Sequence, residues 1–183
     1  LIIGVLSKTN KNEQNVKGFT GFKDYIRKNY SDISEDEYNA LAIDKDIDKV
    51  KELLKMEINY LLNAYSNFDY ETIKNICSEG LSNKYIEELD DLKAKNQRRY
   101  YKDLEYKLFY IIDAFKDDNT IRFMVYSKEC LIDYKIENNG NLVYGTNEYK
   151  ITDNFLIEFE YNMASNKVII INCKNINKEN ILE

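Results

Sequence analysis

Histidine, proline and tryptophan are absent from this 183-residue chain. Without an imidazole the chain lacks the usual general base near neutral pH, and it cannot assemble a Ser-His-Asp or Cys-His nucleophile system. Imidazole is also the commonest metal ligand. The sequence therefore excludes the ordinary triad hydrolases.

Cysteine is scarce, since Cys77, Cys130 and Cys173 are the only three and lie far apart. The CxxC spacing that marks zinc and redox sites is missing, so we interpret these residues as buried or incidental thiols. The acidic cluster at residues 87–91 has no EF-hand spacing and is interpreted as a solvated helix face. We predict no metal site, no cofactor and no catalytic residue.

Basic residues are fewer than acidic ones, 26 against 32, so the net charge is −6. Such a balance gives no overall attraction for nucleic acid. Arg98 and Arg99, followed by Tyr100 and Tyr101, could form a local stacking patch, but a solvated helix end is the favoured interpretation. Nucleic acid is therefore not an expected partner.

Long apolar runs are missing, and the longest near the amino terminus is the six residues Leu1–Leu6. Six residues cannot span a bilayer, which needs about 20. The run is either a short strand or the end of a transmembrane helix that begins ahead of Leu1, and the absence of Met favours the second interpretation. Lysines and arginines outnumber acids in the segment that follows, which favours the cytoplasmic side. Residues 7–33 are predicted to be a linker leading into a short helix.

The helical signals that are present lie in the first half of the chain. Apolar residues recur at spacings of three and four from Ile47 to Tyr65, which predicts a long amphipathic helix of roughly 20 residues. Asp69 is the predicted N-cap of a short helix from Tyr70 to about Ser78. Gly80 is expected to end that helix in a left-handed conformation, and Ser82 to cap a third helix.

The second half of the chain alternates with period two, as strands do. One predicted strand places five apolar residues on one face: Leu104, Tyr106, Leu108, Tyr110 and Ile112. Further strands are predicted at Ile121–Val125, Leu131–Ile136, Phe155–Tyr161 and Val168–Ile171. The last is apolar on both faces, which predicts a central or fully covered position. Helices followed by strands predict an α+β fold with N-terminal helices packed on a bent antiparallel sheet.

The segment Leu131–Gly145 resembles the signature hairpin of the Tim44-like domain, a branch of the nuclear-transport-factor-2-like superfamily. It has a hydrophobic strand with the Asp133-Tyr134 pair, a glycine-bearing turn, a second hydrophobic strand and the closing Gly145. The long helix, the Phe68-Asp69 turn and the short helix match in order. The resemblance covers roughly residues 46–173 and implies a cone-shaped fold.

This resemblance predicts three segments: a membrane stump and linker at 1–33, the Tim44-like domain at 34–175 and a tail at 176–183. Similar bacterial proteins are often tethered by a transmembrane helix just before the domain. The resemblance therefore implies a membrane anchor ahead of Leu1 and a cell-membrane location, and the excess of lysine and arginine noted above favours the cytoplasmic side for the domain.

Such a cone commonly leaves an apolar pocket between the long helix and the sheet. The candidate lining residues are Tyr60, Tyr106, Tyr110, Phe123, Phe155 and Phe159. The first functional hypothesis is a non-catalytic binding or scaffold domain that holds a protein segment or a lipid.

Two alternatives stay open. One is an assembly component of a conjugation or secretion system that forms a homo-oligomer. The other is a small isomerase or dehydratase of the ketosteroid-isomerase type, with Asp113 as base beside Tyr110 or Tyr126. The interpretation against the second is that Asp113 approaches an exposed turn and the tyrosines pack in the core.

Overall fold

The computed structural model describes residues 31–176. Four helices come first: α1 (Glu35–Ala40), α2 (Ile47–Asn67), α3 (Tyr70–Ile76) and α4 (Glu79–Ala94). Five strands follow: β1 (Gln97–Asp117), β2 (Thr120–Glu137), β3 (Leu142–Gly145), β4 (Ile151–Asn162) and β5 (Lys167–Asn175). The predicted α+β class, with helices preceding an antiparallel sheet, is confirmed.

The run Leu1–Leu6, the predicted short helix before residue 31 and the tail from residue 177 lie outside the described residues. Within residues 31–176, no helix is both long enough and apolar enough to cross a membrane.

The long helix α2 forms as the apolar spacing predicts. Asp46 caps its start by accepting a hydrogen bond from the Lys49 amide at 2.8 Å. Phe68 ends it in the left-handed conformation, with φ of 55°. Its inward stripe includes Val50, Leu54, Ile58 and Leu61, all buried. Asp69 then caps α3 by accepting from the Thr72 amide at 3.0 Å, as predicted.

The predicted start of the third helix is wrong by one turn. The helix α4 begins at Glu79 with Ser78 as its N-cap, so Gly80 and Ser82 both lie inside it. Ser78 is held by the sheet, because its amide donates to the Ile170 carbonyl at 2.9 Å and its hydroxyl donates to the Ile171 carbonyl at 3.1 Å. This tertiary contact fixes the helix start at a residue that local pattern alone did not favour.

Replacing Gly80 with alanine is expected to raise the free energy of unfolding by about 0.5–1 kcal/mol, because a helical glycine has excess backbone freedom when unfolded. A Cβ atom at Gly80 would have no heavy atom within 4 Å. Chemical denaturation of the two proteins measures the difference. A loss of stability would contradict the helical placement of Gly80.

The sheet has the order β1-β2-β4-β5, and β3 pairs with the end of β2 that β4 does not reach. The two predicted strands at 121–125 and 131–136 form the single strand β2, which pairs with β1, β3 and β4. The strand β5 pairs with β4 along one side only, so of the two predicted positions for residues 168–171, central or fully covered, the central one is wrong. Its other side is met by Cys77 through a parallel bridge to Ile170.

Irregular pairing divides the side chains of β1 between two faces. Register shifts occur between Lys102 and Glu105, between Tyr106 and Leu108, and between Ile111 and Asp113. The main core beneath the helices contains or contacts Leu104, Tyr106, Phe109 and Ile111. A second cluster, on the opposite face, contains or contacts Leu108, Tyr110, Ile112, Met124, Tyr126 and Leu156. The predicted single apolar face of β1 is therefore wrong, since an extra residue in one strand reverses the alternation beyond it.

Candidate binding site

A cavity of about 300 Å³ lies between α2, α4 and the inner face of the sheet. Its apolar walls are Ile58, Leu61, Leu62, Leu131, Phe155, Ile157 and Ile170. Its tyrosines are Tyr65, Tyr85 and Tyr101, and its other polar residues are Lys84, Arg99, Glu129, Asp133, Asp153, Cys173 and Asn175. The helices thus supply mainly apolar surface, and the strands supply most of the polar groups.

The six predicted lining residues occupy different parts of the molecule. Phe155 lines the cavity. Phe123 and Phe159 are fully buried in the main core. Tyr60 lies on the outer surface of α2 and is 48% exposed.

The remaining two predicted residues are separated by the register shift in β1. Tyr106 packs edge-on against Phe109 with ring centroids 5.3 Å apart, and its hydroxyl donates to the Lys55 carbonyl at 3.3 Å. Tyr110 belongs to the cluster on the opposite face of the sheet. Of the six predicted lining residues, Phe155 is therefore the one that lines this cavity.

An ion pair between β1 and β2 forms one end of the cavity. Arg99 donates to both carboxylate oxygens of Asp133, with Nε–Oδ1 at 2.8 Å and Nη2–Oδ2 at 2.6 Å. The guanidinium also lies near the rings of Tyr101 and Tyr144, at 5.0 and 5.2 Å from their centroids. The interpretation of Arg99 as part of a solvated helix end is wrong, because β1 already begins at Gln97 and turns this side chain inward.

A second carboxyl, that of Glu129, lies on the floor of the cavity. The residue is 4% exposed, and Ser127 Oγ donates to its Oε1 at 2.9 Å. Burial raises the pKa of Glu129 to about 7, the hydrogen bond from Ser127 partly opposes this shift, and Asp153 adds to it. Glu129 therefore exchanges its proton near neutral pH.

Three tyrosines form the aromatic wall. Tyr65 meets Tyr85 and Tyr101 edge-on, with ring centroids 5.8 and 5.7 Å away. Its hydroxyl donates to Glu88 Oε2 at 3.1 Å. Burial raises the pKa of all three phenols, so they remain neutral. This wall presents flat apolar surface and neutral hydroxyls to an occupant.

The chain matches no known protein-family model, and it matches no curated protein. Among solved structures it is similar to the intermembrane space region of the chloroplast protein ARC6. That match has a TM-score of 0.47 and 9% sequence identity, and it covers 72% of this chain and 96% of the other.

The polar residues of the cavity were not predicted from the sequence, although the sequence contains a signal for them. In β2 the residues that share the inner face are the odd-numbered ones from Ile121 to Asp133. Apolar residues fill this face up to Val125, and Ser127, Glu129 and Asp133 then interrupt it. Following the alternation of one uninterrupted strand would have placed these three polar side chains inside the domain.

The described residues contain no metal-binding cluster, and the residues suggested for catalysis lie outside the cavity. Between residues 31 and 176 no group of three or more histidines, cysteines or carboxylates is placed to hold a metal ion. Asp113 pairs with Met124, and Tyr110 pairs with Tyr126, on the face of the sheet opposite the cavity. The residues suggested for an isomerase are therefore not assembled in the cavity.

Proposed function

We propose that this domain is a non-catalytic binding module that holds a segment of a partner protein in the cavity beneath α2 and α4. The single observation that carries the proposal is the cavity itself, which combines apolar walls with polar groups on its floor. Concave, mostly apolar sites with a few converging polar groups are the usual form of binding sites in proteins.

A protein segment suits this lining better than an acyl chain does. Glu129 lies among the apolar residues of the cavity and accepts one hydrogen bond, from Ser127, and an acyl chain would offer its carboxyl no further partner. Buried polar groups are costly unless they are paired, and a peptide offers backbone and side-chain groups that can pair with them. A lipid is the alternative occupant, and vesicle binding by wild type and Leu62→Trp tests it.

The cellular setting in the proposal rests on the sequence alone. The Tim44-like resemblance supports a scaffold that is tethered to the cell membrane by an anchor ahead of Leu1, and the lysine and arginine excess after Leu6 supports the cytoplasmic side for the domain. In that setting the domain would position a partner close to the membrane surface.

Filling the cavity is expected to weaken peptide binding at least tenfold. Peptides selected from a random 12-residue library by the wild-type protein would be synthesised, and their affinities would be measured by calorimetry against wild type and Leu62→Trp. Leu62 lines the cavity from α2 and is partly buried, so an indole at this position would occupy the space that the peptide needs.

Tyr60→Trp is the matched control, because Tyr60 lies on the exposed side of the same helix. The proposal expects its affinities to equal those of wild type. Peptides that bind Leu62→Trp as tightly as wild type would contradict it, as would a selection that yields no peptide sensitive to this change. Binding of anionic phospholipid vesicles that is lost in Leu62→Trp would assign the cavity to lipid instead.

A further inference from the structure

The carboxyl of Glu129 is buried without a full set of hydrogen-bond partners. Among the described residues its only hydrogen bond comes from Ser127 to Oε1. A carboxylate has acceptor sites on both oxygens, and burying it without a cation carries a large desolvation cost. The other side of this carboxyl faces the cavity. A bound group could therefore supply what the protein does not.

The lining of the cavity holds one ion pair and three further charged residues. Arg99 is neutralised by Asp133, to which it is bonded through both oxygens. The remaining charged residues of the lining are Glu129, Asp153 and Lys84. Lys84 is exposed on α4. Among the described residues Glu129 is therefore the buried carboxyl of this lining that has no cation bonded to it, since it is 4% exposed and accepts a hydrogen bond from the neutral Ser127.

We infer that the cavity recognises an organic cation, an alkylammonium or guanidinium group on an apolar stem, by pairing it with Glu129. This inference rests on the proposed binding function and names the chemistry of the occupant. The cation offsets the desolvation of the carboxylate, and the apolar stem packs against the walls from α2 and β4. An anionic group would instead meet the buried carboxyl of Glu129.

The size of the cavity fits such a group. A volume of about 300 Å³ corresponds to roughly ten water molecules in the liquid, each occupying about 30 Å³. That space suits the side chain of a lysine or arginine, or a small arylalkylamine. The same chemistry can therefore come from a basic side chain of a partner protein or from a free amine.

Recognition through Glu129 is expected to depend on pH. Facing this carboxyl are Asp153, Cys173, Tyr106, Tyr85 and Lys84. Burial raises the pKa of the Cys173 thiol to about 12, and burial also raises the pKa of Tyr106 and Tyr85, so these three stay neutral. Glu129 is the group that changes charge near pH 7. Affinity for a cation should therefore fall up to tenfold per pH unit below about 7, where a proton occupies the carboxyl.

Three probes of the same shape separate charge from packing: phenethylamine, 2-phenylethanol and 3-phenylpropionate. Each would be titrated into the full 183-residue chain while its amide resonances are followed by NMR. We expect the amine to bind wild type at least tenfold more tightly than the alcohol, and the carboxylate to bind more weakly than the alcohol. In Glu129→Gln the preference for the amine should drop to within about twofold, with affinity for the alcohol unchanged.

Glu158→Gln is the matched control. Glu158 is also 4% exposed and has an unpaired Oε2, but it pairs with Met124 on the opposite face of the sheet. It should keep the full preference for the amine. A further pair of probes, Nα-acetyl-lysine amide and its Nε-acetylated form, distinguishes the two sources of the cation. Tighter binding of the unmodified lysine derivative assigns the cation to a lysine side chain. Equal affinities for these two, with phenethylamine still preferred over 2-phenylethanol, assign it to a free amine.

Failure of this inference differs from failure of the proposed function. If the alcohol binds in the cavity as tightly as the amine, or if Glu129→Gln keeps the amine preference, cation recognition by Glu129 is overturned and the binding cavity stands. If none of the probes moves resonances of the cavity lining and no library peptide depends on Leu62, both are overturned.

Discussion

Replacing Asp133 with alanine is expected to lower the free energy of unfolding by about 3–5 kcal/mol, the usual effect of removing one partner of a buried ion pair. The side chain of Asp133 is 4% exposed, and that of Arg99 is 21% exposed. Both nitrogens that Arg99 directs at Asp133 would lose their acceptor. An arginine cannot deprotonate to escape this cost, so an uncompensated charge would remain between β1 and β2.

Urea denaturation of wild type and Asp133→Ala measures this loss, and Asp91→Ala is the control. Asp91 pairs with Lys95 at 2.6 Å, but both side chains are 58% exposed, so its removal is expected to cost less than about 1 kcal/mol. The double variant Arg99→Met with Asp133→Leu should recover most of the loss, because it removes both charges and keeps apolar volume. A loss below about 1 kcal/mol in Asp133→Ala would contradict the assigned ion pair.

The elements that the sequence predicts well are those set by neighbouring residues. The stripe of α2 and the Asp69 cap depend on residues within four positions of one another, and both form as expected. The start of α4 depends instead on Ser78 bonding to β5, more than 90 residues later in the chain. The sequence around Ser78 does not indicate a contact with a residue so far along the chain.

The interior of the site was harder to predict for the same reason. The faces of β1 change at register shifts that depend on how it pairs with β2, so Tyr106 and Tyr110 separate although they look equivalent in sequence. The opposite holds in β2, whose pairing with β4 runs without a shift from Thr120 to Leu131. If residues 120–137 are treated as one strand, strict alternation predicts that the side chain of Glu129 lies inside the domain.

Gly145 connects the predicted hairpin to the cavity. It closes β3 and pairs with Tyr134, directly beside the Asp133 that holds Arg99. Its φ is +72°, a conformation that favours glycine. A Cβ atom on Gly145 would lie 2.0 Å from the Asp133 carbonyl oxygen and 3.0 Å from the Tyr134 Cα. The backbone of β2 can approach this closely only because residue 145 lacks a side chain.

Gly145→Ala is therefore expected to destabilise the domain by roughly 2–5 kcal/mol, which combines the strain of positive φ with an overpacked backbone contact. The atom that must move is a backbone oxygen, so no flexible side chain can absorb the clash. The displacement would reach Asp133 and loosen its two bonds to Arg99. Denaturation measures the loss of stability, and NMR shifts of the Arg99 Nε–H report the change at the ion pair.

Gly140→Ala separates the two causes. Gly140 also has positive φ, +89°, but a Cβ atom there would have no heavy atom within 4 Å. The free energy of unfolding of Gly140→Ala should fall only by the cost of placing alanine in the left-handed conformation, about 1–2 kcal/mol. The NMR signal of the Arg99 Nε–H should not shift. If Gly145→Ala behaves in the same way, the close approach of β3 to Asp133 does not hold. A larger loss together with a shifted Arg99 signal would show that the short strand β3 supports the charged end of the cavity.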